Sequence, residues 1–327
     1  MIVTELYKGQ GLGNQLWCYS ACRSIADELN MPFMILGSEN FKAAHFLDIC
    51  FHTKDHLVSN EDYGFHIFHE QRFYDKEIEY VASGYDKLVE KLTLNTQIEG
   101  LFQSEKYFYS NINRIKNYIQ IKKEYIDLVN IPDDTCVLNI RGGEYKRHKR
   151  FNLPKSYWVA AMKNMRDYYG INRFLIVTDD HKYARALFPD INIVQEGIAE
   201  SYISLHNASY LIVSNSTFSY FPIKTKSVNP VVIAPKYFAR FNDEHNRWAS
   251  PANIYSQWLW QDRAGNLQTY EDCIVEVENI EKMYANDYYI KISPSLIAKK
   301  DLGIFIPVII KNVVKKLLSK FFPLKYG

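Results

Sequence analysis

Residues 136–140 read CVLNI, and residues 141–145 read RGGEY. An apolar, β-rich run that breaks on Arg-Gly-Gly is read as a buried strand delivering a guanidinium at its carboxyl end. Downstream, the runs at 174–177, 192–194, 211–214 and 231–234 have the same character, each bounded by helical spacing or turn residues. Short strands alternating with helices predict a parallel sheet covered on both faces. Upstream, residues 2–7 read as a strand, Gly9, Gly11 and Gly13 form a turn, 14–30 has helical spacing, and 32–36 is a second strand. That β-loop-α-β opening predicts a second α/β unit, so the fold class is α/β with two Rossmann-like domains. The aromatic, His- and Asp-rich stretch 37–95 is read as loops and short helices of the first unit. A Pro and acid cluster at 131–134 marks the boundary, giving domains at 1–133 and 134–290, with a tail at 291–327.

With 327 residues there is room for two cores. Apolar residues at 47% and charged residues at 23% exclude wholesale disorder and a multispan membrane protein. A formal charge of +2 argues against a nucleic-acid partner, which would demand a basic excess. The charge is unevenly spread: seven lysines against Asp301 give residues 299–327 a charge of +6, which leaves −4 upstream. Cys18, Cys22, Cys50, Cys136 and Cys273 are odd in number, lack CxxC spacing and lie in segments that read as core. The chain therefore reads as reduced and intracellular. No basic segment followed by an apolar one opens the chain, so no secretory signal is expected, and the apolar run 302–310 is too short to span a bilayer.

Several positions are candidates for chemistry. The loop GQGLGNQ fails the dinucleotide fingerprint because Asn14 stands where a third glycine belongs. Gly11, Gly13 and Asn14 then serve either a tight turn or a close approach to a ligand, with Asn14 as a polar finger. Arg141 is placed either to grip a diphosphate bidentately or to form a surface ion pair. Asp179 and Asp180 close a strand, where they can hold a metal, accept from a guanine edge, or cap the next helix. Asn215, Ser216, Thr217 and Ser219 gather hydroxyls before a helix, suited to capping or to anion binding.

The order of these segments is more telling than any one of them. Residues 9–16 (GQGLGNQL), 100–108 (GLFQSEKYF), 139–145 (NIRGGEY), 178–180 (TDD) and 214–219 (SNSTFS), with later blocks at 234–236 and 253–255, resemble the bacterial α-1,2-fucosyltransferase family over about residues 1–262. The resemblance implies a GT-B fold and an inverting, metal-independent enzyme without a cofactor, whose donor is a GDP-sugar held by the second domain. It aligns Arg141 with the first Arg of the family's His-x-Arg-Arg-x-Asp motif, where it would contact the pyrophosphate. Asn139, Gly142 and Glu144 depart from that motif, and Tyr220-Phe221 replace a tryptophan pair. The donor sugar is thus fucose, colitose or another deoxyhexose. Arg141 and the 216–219 segment would stabilise the leaving diphosphate, Asn139 would join the donor contacts, and Glu144 is the candidate general base, with orienting Arg141 as its alternative role.

In the tail, Ile310, Val313, Val314, Leu317, Leu318 and Phe321 share one helical face and Lys311, Lys315, Lys316 and Lys320 the other. A basic amphipathic helix over 309–322 is expected, either lying on an anionic membrane surface or packing on the body. The membrane alternative suits a glycan or lipid-linked acceptor at the cytoplasmic face during surface-polysaccharide or O-antigen synthesis. Rival expectations are a silent sugar-nucleotide or glycan binder of the same fold and a transferase using another nucleotide sugar.

Overall fold

The chain begins as a strand because Ile2 and Val3 are fully buried, and it leaves that strand through a turn in which Gly9 adopts φ +94°. The computed structural model describes residues 1–53, 64–75, 80–108, 112–147, 151–194, 197–285 and 290–291. The amphipathic segment expected at 309–322 lies outside them.

In the first half, β1 (Ile2–Glu5) leads into α1 (Leu12–Glu28) and β2 (Phe33–Leu36). Then come β3 (Leu47–Asp48), β4 (His66–His69), β5 (Arg72–Asp75), β6 (Tyr80–Ser83) and β7 (Thr96–Glu99). The described part of the stretch expected to form loops and short helices does contain loops and two short 3₁₀ helices, Ser38–Asn40 and Lys87–Lys91, but it also carries four short strands that the expectation did not include. Its strands are four residues or fewer and lack clean alternation, so period-2 reading had little to act on. A sheet of order β2-β1-β7-β4, parallel at every junction, forms the body of this half. The helices α2 (Ile112–Tyr118) and α3 (Lys123–Ile126), with β8 (Gln120–Ile121) between them, carry the chain to the second half.

The second half contains β9 (Thr135–Ile140), α4 (Lys155–Tyr169), β10 (Arg173–Thr178), α5 (His181–Leu187), β11 (Asn192–Ile193), α6 (Ile198–Asn207), β12 (Tyr210–Val213), α7 (Tyr220–Lys224) and β13 (Val231–Pro235). The strands β14 (Leu259–Gln261) and β15 (Leu267–Gln268), then α8 (Tyr270–Ala285) and β16 (Ile290–Lys291), follow. The sheet order is β11-β10-β9-β12-β13-β14-β15, antiparallel only at β14 to β15. Counted from β9, the first six strands lie in the Rossmann order 3-2-1-4-5-6. Alternation sends Leu138, Ile176, Ile212 and Ile233 to the face covered by α4, and Val137, Val177, Leu211 and Val213 to the opposite face.

That opposite face shares one continuous core with the first half. Trp17 of α1, fully buried, packs at ring-centroid distances of 4.3 Å from Tyr220 and 5.1 Å from Phe108. Two Rossmann-like halves thus meet across a cleft, the GT-B arrangement. Cys18, Cys22, Cys136 and Cys273 are buried as expected of core positions, whereas Cys50 is half-buried. Among the described residues no helix is long and apolar enough to cross a membrane.

Candidate functional site

Adjacent strands of the second sheet end on polar residues at one edge: β9 on Asn139 and Arg141, β10 on Thr178 and Asp179, and β12 on the 214–217 segment. The chain reverses its direction across the sheet between β9 and β12, and open α/β sheets bind ligands outside the strand ends at such a point. A cavity of about 780 Å³ opens there. Asn139, Arg141, Glu144, Asp179, Ser216 and Thr217 line it from the second half, and Gly11, Gly13, Asn14, Lys42, Tyr80 and Gln103 from the first.

Arg141 is half-exposed, and its Nη1 lies 3.0 Å from Asp179 Oδ2. Its guanidinium carbon is 5.3 Å from the Tyr145 ring centroid, and its Nε is buried without a hydrogen-bond partner. The ion pair foreseen as one alternative is therefore present, and a donor remains available beside it.

Asp179 and Asp180 do something the sequence did not suggest: they clamp the loop after β9. Asp179 Oδ1 accepts from the Gly142 N–H at 2.8 Å, and Asp180 Oδ2 accepts from the Gly143 N–H at 3.2 Å and from Lys146 Nζ. Asp180 Oδ1 also accepts from Tyr183 N at 3.0 Å, capping α5. The Lys146 ammonium, with the Tyr183 N–H, holds the Asp180 carboxyl below the usual aspartate range. A side chain at Gly142 would place its Cβ 2.6 Å from Asp180 Cβ, and Gly143 sits at φ +42°. Gly142, which departs from the family motif, and Gly143 beside it are thus what lets the acid pair close on this loop. Orienting Arg141 falls to Asp179; Glu144 is an exposed carboxylate on the cavity wall.

The glycine-rich opening loop divides its work. A Cβ on Gly11 would meet nothing within 4 Å, so its backbone faces open cavity. A Cβ on Gly13 would stand 2.5 Å from the carbonyl carbon of Thr217, so that glycine admits the other half of the protein. Asn14 is likewise turned inward, its Oδ1 accepting from Thr217 Oγ1 at 3.0 Å and from Gln103 Nε2 at 3.1 Å.

Capping is what the 214–219 segment does with its hydroxyls. Ser216 Oγ accepts from Phe218 N, Ser219 Oγ donates to the Ser216 carbonyl, and only a single 3₁₀ turn and the five-residue α7 follow. Ser216 and Thr217 line the cavity; Asn215 and Ser219, expected at the ligand, are fully buried and lie outside the lining. Burial removes them because the turn after β12 points back under the sheet edge, where Asn215 Nδ2 donates to the Phe151 carbonyl at 3.4 Å.

The 100–108 segment binds the molecule together instead of touching the cavity throughout. Glu70, fully buried, accepts from the N–H groups of Leu101 (2.7 Å) and Phe102 (3.1 Å) and from Tyr107 Oη (2.9 Å). Burial pushes its carboxyl above the usual range despite those donors. Glu105 accepts from Tyr220 Oη at 2.8 Å and from Ser256 N at 2.9 Å, and its Oε1 lies 3.0 Å from Lys224 Nζ. Tyr220-Phe221, in place of the tryptophan pair, are fully buried between the halves.

Sequence reading missed Lys42, Tyr80, Phe151, His181 and Phe238, all of which line the cavity. Most stand outside any recognisable motif. Phe238 is flanked by Tyr237 and Ala239 at φ +61° and +63°, a strained loop that begins directly after the 234–236 block. His181 is the first residue of α5, as its place after Asp180 suggests.

The fold and this site define an α/β protein built on two main, largely parallel sheets, with a polar cleft at the strand ends. No family model matches the sequence, and no curated protein matches it. Among solved structures the chain is similar to the fucosyltransferase NodZ from Bradyrhizobium, at 12% identity and TM-score 0.41, covering 68% of this chain and 92% of that one. It is similar to POFUT1 in complex with GDP-fucose, at 9% and 0.43, covering 70% and 95%. It is also similar to the E. coli heptosyltransferase WaaC with ADP, at 9% and 0.41, covering 88% and 99%. Likeness at these TM-scores is of general outline only.

Proposed function

We propose that this protein is an inverting glycosyltransferase moving fucose or a related deoxyhexose from a GDP-sugar to a hydroxyl of a glycan acceptor, in bacterial surface-polysaccharide synthesis. The observation that carries the reading is Arg141, held at the Rossmann switch point by Asp179 with its Nε buried and unpartnered. The acceptor oxygen attacks the anomeric carbon, the bond from that carbon to the diphosphate oxygen breaks, and GDP leaves with the electron pair. Arg141 meets the charge growing on the diphosphate, an effect typically worth about 3 to 4 kcal/mol of barrier for one preorganised donor. Glu144, exposed in the cavity, takes the acceptor proton, a contribution of roughly a hundredfold or more.

No metal or cofactor enters this proposal. Asp179 and Asp180 already carry backbone N–H groups and one cation each, which supports neutralisation of the diphosphate by Arg141. The basic segment 309–322 attaches the enzyme to the anionic cytoplasmic face of the membrane, beside a lipid-linked acceptor. A thermal-shift panel of GDP, UDP, ADP, dTDP and CMP tests the nucleotide, with GDP expected to stabilise most. Hydrolysis or transfer of the GDP-sugar then separates an enzyme from a silent binder. Turnover is expected to be unchanged by chelator; abolition with rescue by Mn²⁺ would overturn the metal-free assignment. Deleting 302–327 is expected to release the protein from anionic liposomes while sparing transfer to a soluble acceptor.

A further inference from the structure

One buried polar atom in the cavity is left unexplained by the protein's own structure. Asn139 is 6% exposed, lines the cavity, and has an Oδ1 with no hydrogen-bond partner. The sheet offers nothing to satisfy it, because the residues in register on either side are Val177 on β10 and Val213 on β12. A buried acceptor left unpaired is costly, and such a group in a native protein calls for a partner that comes from outside. Asn139, near the end of β9, and Arg141, the first residue beyond it, both line the cavity, and two residues of extended chain span roughly 6 to 7 Å. The cavity therefore presents an orphan donor, Arg141 Nε, and an orphan acceptor, Asn139 Oδ1, a short distance apart on one wall.

Resting on the GDP-sugar reading, we infer that Asn139 is a specificity-determining residue whose Oδ1 accepts a hydrogen bond from the hydroxyl on the carbon next to the anomeric centre of the donor sugar. With the diphosphate on Arg141, that hydroxyl, on the carbon adjoining the anomeric carbon, is the hydrogen-bond donor of the sugar ring nearest the diphosphate. An acceptor-only oxygen selects a group that donates. The substrate class is then a nucleotide sugar with a free 2-hydroxyl. A 2-deoxy sugar enters the same space but leaves the orphan unpaired, and sites built to bond a hydroxyl reject analogues that lack it far more strongly than apolar pockets reject an added group.

The test is isothermal titration of GDP, GDP-fucose and GDP-2-deoxyfucose into the full-length wild type, Asn139→Leu and Asn139→Asp. Wild type is expected to bind GDP-fucose at least tenfold more tightly than the 2-deoxy analogue. Asn139→Leu, close to asparagine in size, is expected to abolish that preference and to leave GDP affinity within about twofold. Asn139→Asp, which keeps the acceptor, is expected to keep the preference even as its charge weakens all three ligands. Because Leu removes an unpaired buried group, the melting temperature of unliganded Asn139→Leu is expected to equal or exceed that of wild type; a merely structural asparagine would give a fall. Equal binding of the two sugars by wild type, or a preference that survives Asn139→Leu, overturns the inference alone. Failure of GDP itself to bind wild type overturns the GDP-sugar reading and this inference with it.

Discussion

At the scale of single residues, Arg141 is the sharpest point of the site. Its guanidinium uses Nη1 for Asp179 and leaves a buried Nε without a protein partner, a division that needs a planar fork. Arg141→Lys is expected to lose tenfold or more in kcat/KM, about 1.4 kcal/mol, in a donor-hydrolysis assay; parent-like behaviour would place the site elsewhere. Glu70 supplies a pH prediction. Its carboxyl titrates above the ordinary 4.5 when folded, so the folded state binds the proton more tightly. That contribution is fully present below about pH 4.5 and is lost as the pH rises through the folded value. Glu70→Gln, neutral at every pH, is expected to gain on wild type in urea midpoint as the pH is raised from 4.5 to 7. The place of Arg141 at the carboxyl end of β9 was legible from sequence because an apolar run breaks on it. Glu70 was not, because its role depends on N–H groups of Leu101 and Phe102 some thirty residues away.

At the scale of elements, the two glycine-rich turns show how sequence patterns are shared between ligand and self. Gly11 faces the cavity, while Gly13 is required by Thr217. Gly11→Ala is therefore expected to leave stability near wild type and to weaken GDP-sugar binding. Gly13→Ala must push the 217–218 backbone away and is expected to cost about 1 to 3 kcal/mol in denaturant unfolding, the usual range for overpacking. Equal effects of the two substitutions would contradict this division. The strands of the second sheet were readable because central parallel strands, buried on both faces, form continuous apolar runs. The short strands of the first half, such as His66–His69 with its exposed first two residues, carry no such run. The acid clamp on Gly142 and Gly143 escaped the sequence for another reason: neighbouring strands β9 and β10 bring together residues 37 apart.

At the scale of the whole molecule, the family-like segments 9–16, 100–108 and 253–255 converge between the halves as well as beside the cavity. Asn14, Gln103, Thr217 and Asn253 form one hydrogen-bonded chain across the boundary. Beneath it Glu105 gathers Tyr220, Lys224 and the Ser256 N–H. The Glu105 and Lys224 side chains are 9% and 7% exposed, so removing one charge strands the other in a poorly solvated place. Glu105→Ala is expected to cost about 3 to 5 kcal/mol, the range for breaking a buried pair from one side. Because Trp17, Tyr220 and Tyr255 join the halves in one apolar core, the loss is expected in a single unfolding transition seen alike by circular dichroism and tryptophan fluorescence. The double variant Glu105→Leu/Lys224→Met replaces both charges with apolar groups and is expected to recover part of that loss, since neither partner is then left buried alone. Two separate transitions in wild type would show that the halves unfold independently, and a double variant no better than Glu105→Ala would show that the loss came from something other than a charge left buried alone.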